Sequence, residues 1–505
     1  MALKSSDVNT ARAGLRTTRK KRRASASPPP TPKKHAAVKR ARASKNDYST
    51  VNSSTEAAAS LIPLPSPPAH ERPSWLLFAW GAGDSGQLGM GPDVFFATVA
   101  KPRRNHYVDN LVEQGAFGEP GAGLECIAAG GLHSVLIDET GTVWTCGMND
   151  NAELGRVTVT ITEGDTTVEV DEATSLPFHV PVPIQTLRDE GFRAVKVAAG
   201  DCINVVLDEH GQLRAWGMYR TSDGDLGFSP AIRKQFKPSA IPALSGIPVA
   251  AVAAGDNHVL FLTTKGEVYS AGSSEYMQLG RRVLRRHRLK GTVPERVILQ
   301  SRTRKALLIG AGADHSFAVD EEGTPWGWGL NGHGQTGTGV GSERSEDRIV
   351  PVPLPVGGLS KAELGGATVV QIAGGSQHTL FLISDGRVYA CGNHEDGQLG
   401  ISDDKDTLAK RYPEGFVPEP VLVPFPDGDD PIVAVACGTH NSLAISKGGA
   451  MYAWGRDTTG QVGTGKAGVD VRTPTIVVRK EGGSWSAKAV SCGAQHSLAL
   501  LQKKA

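Results

Sequence analysis

Residues 195–226 read VKVAAGDCINVVLDEHGQLRAWGMYRTSDGDL. A short apolar run ends at the small-residue turn around Gly200. The run INVVLD follows, then a Gly turn, then LRAWG and a polar tip. Neither run carries the i, i+3, i+4 spacing of an amphipathic helix. Two short apolar runs about a tight Gly turn read as an antiparallel hairpin.

The same pattern returns through the chain as two sub-motifs, each present seven times. The first is Gly-x-x-His or a variant before a short apolar run. It begins at Gly130, Gly200, Gly255, Gly312, Gly375, Gly438 and Gly493, at spacings of 55 to 70 residues. The second is a Gly turn and then Trp80-Gly81, Cys146-Gly147, Trp216-Gly217, Ala271-Gly272, Trp328-Gly329, Cys391-Gly392 or Trp454-Gly455. A unit of this size makes one small antiparallel sheet that cannot bury its own faces, so neighbours must stack.

Order along the chain then selects a ring. The first sub-motif met is a Trp-Gly strand with no Gly-x-x-His before it. The last is Gly-x-x-His with no Trp-Gly after it. Together the two ends complete one unit, which leaves no open sheet edge. The expected fold is all-β: a seven-bladed β-propeller over 74–505, closed by pairing of N- and C-terminal strands. The recurring His and Trp read as core groups, the His as a buried hydrogen-bonder.

Charge divides the chain in two. Residues 1–45 hold 14 Lys/Arg and one acid, leaving 40 basic and 51 acidic residues in 46–505, a net of −11. Residues 1–73 read as a disordered basic tail and linker, lacking the apolar periodicity needed to fold. The clusters with Lys20, Lys21, Arg22, Arg23 and with Lys33, Lys34 have the spacing of a bipartite nuclear import signal, which implies an import receptor as partner. Ser27-Pro28 and Thr31-Pro32 lie between them, where phosphate would offset the positive charge. The six Cys form no CxxC pair and read as reduced thiols of a cytosolic or nuclear protein, with no metal site and no cofactor expected. No apolar run approaches the ~18–20 residues that span a bilayer, and no membrane partner is expected.

Function must come from what breaks the repetition. The x-x pairs of Gly-x-x-His fall at equivalent heights on one face, bringing Asp201, Asp256, Asn257, Asp314, Gln377 and His440 around a channel. Mixed acids and amides of this kind suit a protein with a basic surface. They lack the paired acid and base, nucleophile or metal cluster of a hydrolase. The acidic insertion 163–172 receives no role.

These repeats resemble the regulator of chromosome condensation family over about 430 residues. The resemblance implies a guanine-nucleotide exchange factor for the small GTPase Ran, in the nucleus and on chromatin, performing no covalent chemistry. The segment from Trp216 to Gly224 resembles the family's wedge hairpin, which implies exchange roles for Tyr219, Arg220, Thr221 and Ser222. Asp84, Asp201, Arg281 and His496 match the family's exchange-face pattern, although His496 is also a repeat His. At two positions the chain departs from it: Asn257, beside Asp256, stands where the family has Asp, and Gln377, beside His378, where it has His. Asn and Gln keep donor and acceptor capacity. The basic stretch after Leu279-Gly280 resembles the family's switchback loop. It implies docking of Arg282, Arg285, Arg286 and Arg288 on histones H2A/H2B, with the tail on nucleosomal DNA. The alternatives are a propeller interaction scaffold without exchange activity, and a light-sensing relative, which would need Trp clustered on the ring face.

Overall fold

The computed structural model describes residues 60–94, 97–158, 161–163, 166–168, 178–340, 349–402 and 404–504. The import clusters, the Ser27 and Thr31 sites and most of the acidic insertion lie outside the described residues.

Seven four-stranded antiparallel sheets are present among the described residues. From the channel outward, blade 1 is Leu124–Ala129, His133–Asp138, Val143–Gly147 and Val182–Pro183. Blade 2 runs from Ala194–Ala199 to Gln235–Ser239, and blade 3 from Val249–Ala254 to Glu295–Val297. Blade 4 runs from Ala306–Ala311 to Ile349–Pro355, blade 5 from Val369–Gly374 to Phe416–Leu422, and blade 6 from Ile432–Cys437 to Val471–Val478. The seventh blade joins the chain ends. Trp485–Cys492 and His496–Lys503 pair with Leu76–Ala82 and Thr98–Arg104 in one sheet. Its register sets Phe78 opposite Ala499 and Trp80 opposite Ser497. The expected closure is therefore the observed one.

Burial explains the residue choice. The second strand of blades 1 to 6 is buried along its whole length, as in HSVLID, INVVLD and HTLFLI, whereas the outermost strand of blade 7, Thr98–Arg104, is exposed at every second or third residue. Each Trp-Gly glycine has φ between +101° and +125°. At all seven a Cβ would sit 1.9 to 2.5 Å from the carbonyl oxygen of the second x residue of its own Gly-x-x-His. That carbonyl also accepts the backbone N–H just after the Trp-Gly, for example Ala82 to Gln495, Met218 to Cys202 and Asn393 to Gln377. Only glycine fits so close an approach in that conformation.

The repeat His residues stitch neighbouring blades. Nε2 of His133, His258, His315, His378 and His496 lies 2.7 to 3.0 Å from Asn204, Ser316, Thr379, Ser442 and Ser134 of the next blade. Each of the four hydroxyls donates to a backbone carbonyl, as Ser134 does to Gln87 at 2.7 Å, so the imidazole Nε2–H is the donor to the hydroxyl. Burial pushes His258, His315, His378 and His496 down to about 3. The four Trp of the Trp-Gly positions are fully buried, and each indole N–H donates to a backbone carbonyl of the preceding blade.

Residues 60–73 correct the sequence reading. Taken there as linker, they lie against the propeller. The N–H groups of Leu61 and Ile62 donate to Thr264 in blade 3, while His70 and Arg72 pair with Glu125 and Glu139 in blade 1. Ile62 packs beside the apolar core, a contact too short and aperiodic to show as a pattern.

Candidate functional site

The seven Gly-x turns converge on a central cavity of about 100 Å³ lined by Gly131, Asp201, Asp256, Ala313, Ser376 and Ala494 among others. Backbone N–H groups here reach the next blade, as Asp201 does to Asp256 and Asp256 to Ala313. Ala494 to Gly130 links blade 7 to blade 1. Asp84 stands exposed on the loop after the first Trp-Gly, at this same end of the ring.

Blades 2 to 4 give this face its charge. Asp256 is open to solvent in the channel but walled by protein. Desolvation first, then Asp314 and Asp201, push its carboxyl up to about 7. Asp314, partly buried, is raised to about 6 by desolvation and Glu275, against a 3.0 Å hydrogen bond donated by Gln278 Nε2. A cationic side chain seated there would favour the charged form of both acids.

Beside them rises a two-stranded hairpin, Tyr219–Thr221 paired with Gly224–Gly227. Tyr219 and Leu226 anchor its base, at 4% and 5% exposure, while Arg220, Ser222 and Asp223 are exposed. The Arg220 guanidinium lies 3.5 Å from the Asp201 carboxylate, and Arg220 N–H donates to Asn257 Oδ1 at 2.8 Å. Thr221 Oγ1 donates to Gly224 O within the hairpin. Ser222 is held by Glu275, and the tip Asp223 faces Arg285 and Arg288 at 3.7 and 3.6 Å. The segment bearing these arginines, Arg285–Thr292, is an interrupted 3-10 turn with a kink at His287. Arg286 lies on the same segment, and Arg282 in the loop just before it. Two of the four residues expected to dock on histones thus sit against the hairpin itself.

Of the residues expected on the exchange face, His378, His496 and Tyr219 are buried and Arg281 is half-buried. His378 and His496 have no exposed surface, because their rings carry the inter-blade hydrogen bonds. Tyr219 packs into the core of blades 2 and 3. The Arg281 guanidinium is bound to the carbonyls of Ser270, Gly291 and Val293 and to Glu295, so it braces its loop. Burial lowers its pKa, against Glu295. Gln377 accepts from Asn393 Nδ2 at 2.8 Å on the blade 5 side of the face. The residue sequence reasoning missed is Glu275. Its loop position is an ordinary one for an acid, and its partner is 53 residues away. Among the described residues no cluster of His, Cys, Asp and Glu could hold a metal ion, and no helix is long and apolar enough to cross a membrane.

A closed seven-bladed ring with an acidic channel mouth and one clamped hairpin beside it defines a β-propeller whose loops form the candidate site. The RCC1-like domain matches residues 76–499, and the chain belongs to that family. The Guanine nucleotide exchange factor SRM1 of Saccharomyces cerevisiae is 30% identical over 437 residues, covering 84% of this chain and 86% of its own. The crystal structure of Prp20p from Saccharomyces cerevisiae, described with its binding properties to Gsp1p and histones, superposes with a TM-score of 0.73. It is 29% identical and covers 88% of this chain and 94% of its own. The structure of Kap60 bound to yeast RCC1 (Prp20) gives a TM-score of 0.72 at 28% identity, covering 93% and 97%.

Proposed function

We propose that this chain is a guanine-nucleotide exchange factor for the GTPase Ran, working on chromatin in the nucleus. The observation that carries the reading is the hairpin of blade 2 beside three carboxylates at the channel mouth, in a chain related over most of its length to SRM1.

The mechanism follows from linkage. An exchange factor makes no bond; it binds the nucleotide-free GTPase more tightly than the loaded one, and nucleotide weakens its grip by the same factor. A factor of 10⁴ corresponds to about 5.5 kcal/mol of differential binding. Asp84, Asp201, Asp256 and Asp314 hold basic side chains of the GTPase, which steers encounter and fixes register. The hairpin tip, Arg220 to Ser222, enters the nucleotide site. Arg220 exchanges its contact with Asp201 for acidic groups of the partner. The pair is nearly half exposed, so opening it costs little. The nucleotide loaded is then set by the ratio of GTP to GDP around the protein.

Chromatin attachment uses Arg282, Arg285, Arg286 and Arg288 on H2A/H2B and the basic tail on nucleosomal DNA. The tail clusters bind the import receptor, as Prp20 binds Kap60. Counterion release makes the DNA contact steeply salt-dependent. The test is release of fluorescent GDP from Ran. Wild type accelerates it, and an Asp201→Asn, Arg220→Ala double variant loses at least about thirtyfold, the lower end of the cost of removing a hydrogen-bonded interfacial charge. Unchanged release in a folded double variant would refute the assigned roles.

A further inference from the structure

We infer that Glu275 is a positioning residue for exchange: from blade 3 its carboxylate clamps the tip of the blade 2 hairpin in the pose that meets the GTPase. The inference rests on the exchange reading. A two-stranded hairpin is marginal in water on its own. Here only Tyr219, Leu226 and Gly227, at the base, are buried. The pose of the tip is therefore set by contacts from outside the hairpin.

Those contacts come from the next blade in two steps. Asn257 Oδ1 accepts the Arg220 N–H at 2.8 Å, near the base. Glu275 Oε2 accepts the Ser222 N–H at 2.9 Å, and its other oxygen accepts the Ser222 hydroxyl. Both donors of one tip residue thus converge on the two oxygens of a single carboxylate, an arrangement that fixes direction as well as distance. The platform beneath is itself held. Ser273 N–H donates to Asn257 O at 2.8 Å, and Tyr276 N–H to Gln278 Oε1 at 2.9 Å. Gln278 in turn donates to Asp314. The ion pairs from Asp223 to Arg285 and Arg288 are longer and exposed, and fix the tip less. Ordering the hairpin before the partner arrives removes that cost from the step in which it displaces nucleotide.

The experiment compares Glu275→Ala, Glu275→Gln, Ser222→Ala and the Glu275→Ala, Ser222→Ala pair. Release of fluorescent GDP from Ran is followed over a range of exchange-factor concentrations. Glu275→Ala should lower the maximal rate about tenfold, equivalent to about 1.4 kcal/mol, with the half-saturating concentration changed less than about twofold. Glu275→Gln should recover most of the rate, because its amide can accept from the Ser222 N–H and donate to the hydroxyl. The double variant should be little worse than Glu275→Ala alone. In the free protein, hydrogen exchange at the Ser222 amide should quicken about tenfold in Glu275→Ala. An unaltered maximal rate would overturn the clamp, as would a Gln variant as slow as the Ala variant or an unaltered Ser222 amide. If wild type itself fails to release GDP from Ran, the exchange reading falls, and the amide measurement still decides whether Glu275 orders the tip.

Discussion

Replacing Ser134 by Ala tests ring closure at a single atom. The hydroxyl, 1% exposed, lies where three parts of the chain meet. It accepts from His496 Nε2 of the C-terminal strand at 3.0 Å and donates to Gln87 O of the N-terminal segment at 2.7 Å. Alanine leaves a buried N–H and a buried carbonyl without this partner. At about 1–3 kcal/mol each, the loss comes to about 2–6 kcal/mol. For a body of this size that lowers the melting temperature by about 2–7 °C. Ser134→Thr should stay near wild type, because Thr379 of blade 5 fills the place that Ser442 fills in blade 6 with a serine. Urea titration and thermal melting of the three proteins read the effect. Ser134→Ala within about 0.5 kcal/mol of wild type would refute the inter-blade hydrogen bond as a stabilising contact.

Gly217→Ala should cost about 3 kcal/mol or more, since its Cβ meets Cys202 O at 1.9 Å with φ at +101°. Gly246→Ala, at φ +74° with nothing within 4 Å, should cost only about 1 kcal/mol; equal losses in urea unfolding would remove the steric argument. Acid should unfold the protein. The four His held near 3 bind protons in the unfolded chain from about pH 6.5 downward while the folded chain stays neutral, so stability falls as pH drops, by about 2 kcal/mol per His at pH 5. Asp256 and Asp314, raised in the folded state, take up protons over the same range and oppose this in part. Melting temperatures that rise between pH 7 and 5 would contradict the assignment. Those two carboxyls also predict that affinity for Ran weakens from pH 8 to 6 as they become neutral, and that the slope flattens in Asp256→Asn, Asp314→Asn; a slope equal to wild type would exclude them.

Closure was readable because steric necessity repeats: one carbonyl, seven times over, excludes any residue but glycine after the Trp position. The half-motifs at the two ends then leave one way to complete the ring. The site was less readable. His496 satisfies the repeat and the family pattern together, and only burial separates a stitch between blades from a contact with a partner. Arg281 follows Leu-Gly like a surface residue, yet the carbonyls of Ser270 in the strand before it and of Gly291 and Val293 after it capture it. Glu275 acts through a pairing that exists only once blades 2 and 3 are side by side. Residues 60–73 have no periodicity at all, because the turns of the ring supply their partners.

The most direct measurement is the affinity of this protein for nucleotide-free Ran against Ran loaded with GDP, by titration at one fixed salt concentration. An exchange factor must bind the empty form more tightly, by at least about a hundredfold if its coupling lies within the usual 1–3 kcal/mol or above it. Equal affinities would mean that the ring holds Ran without loosening its nucleotide.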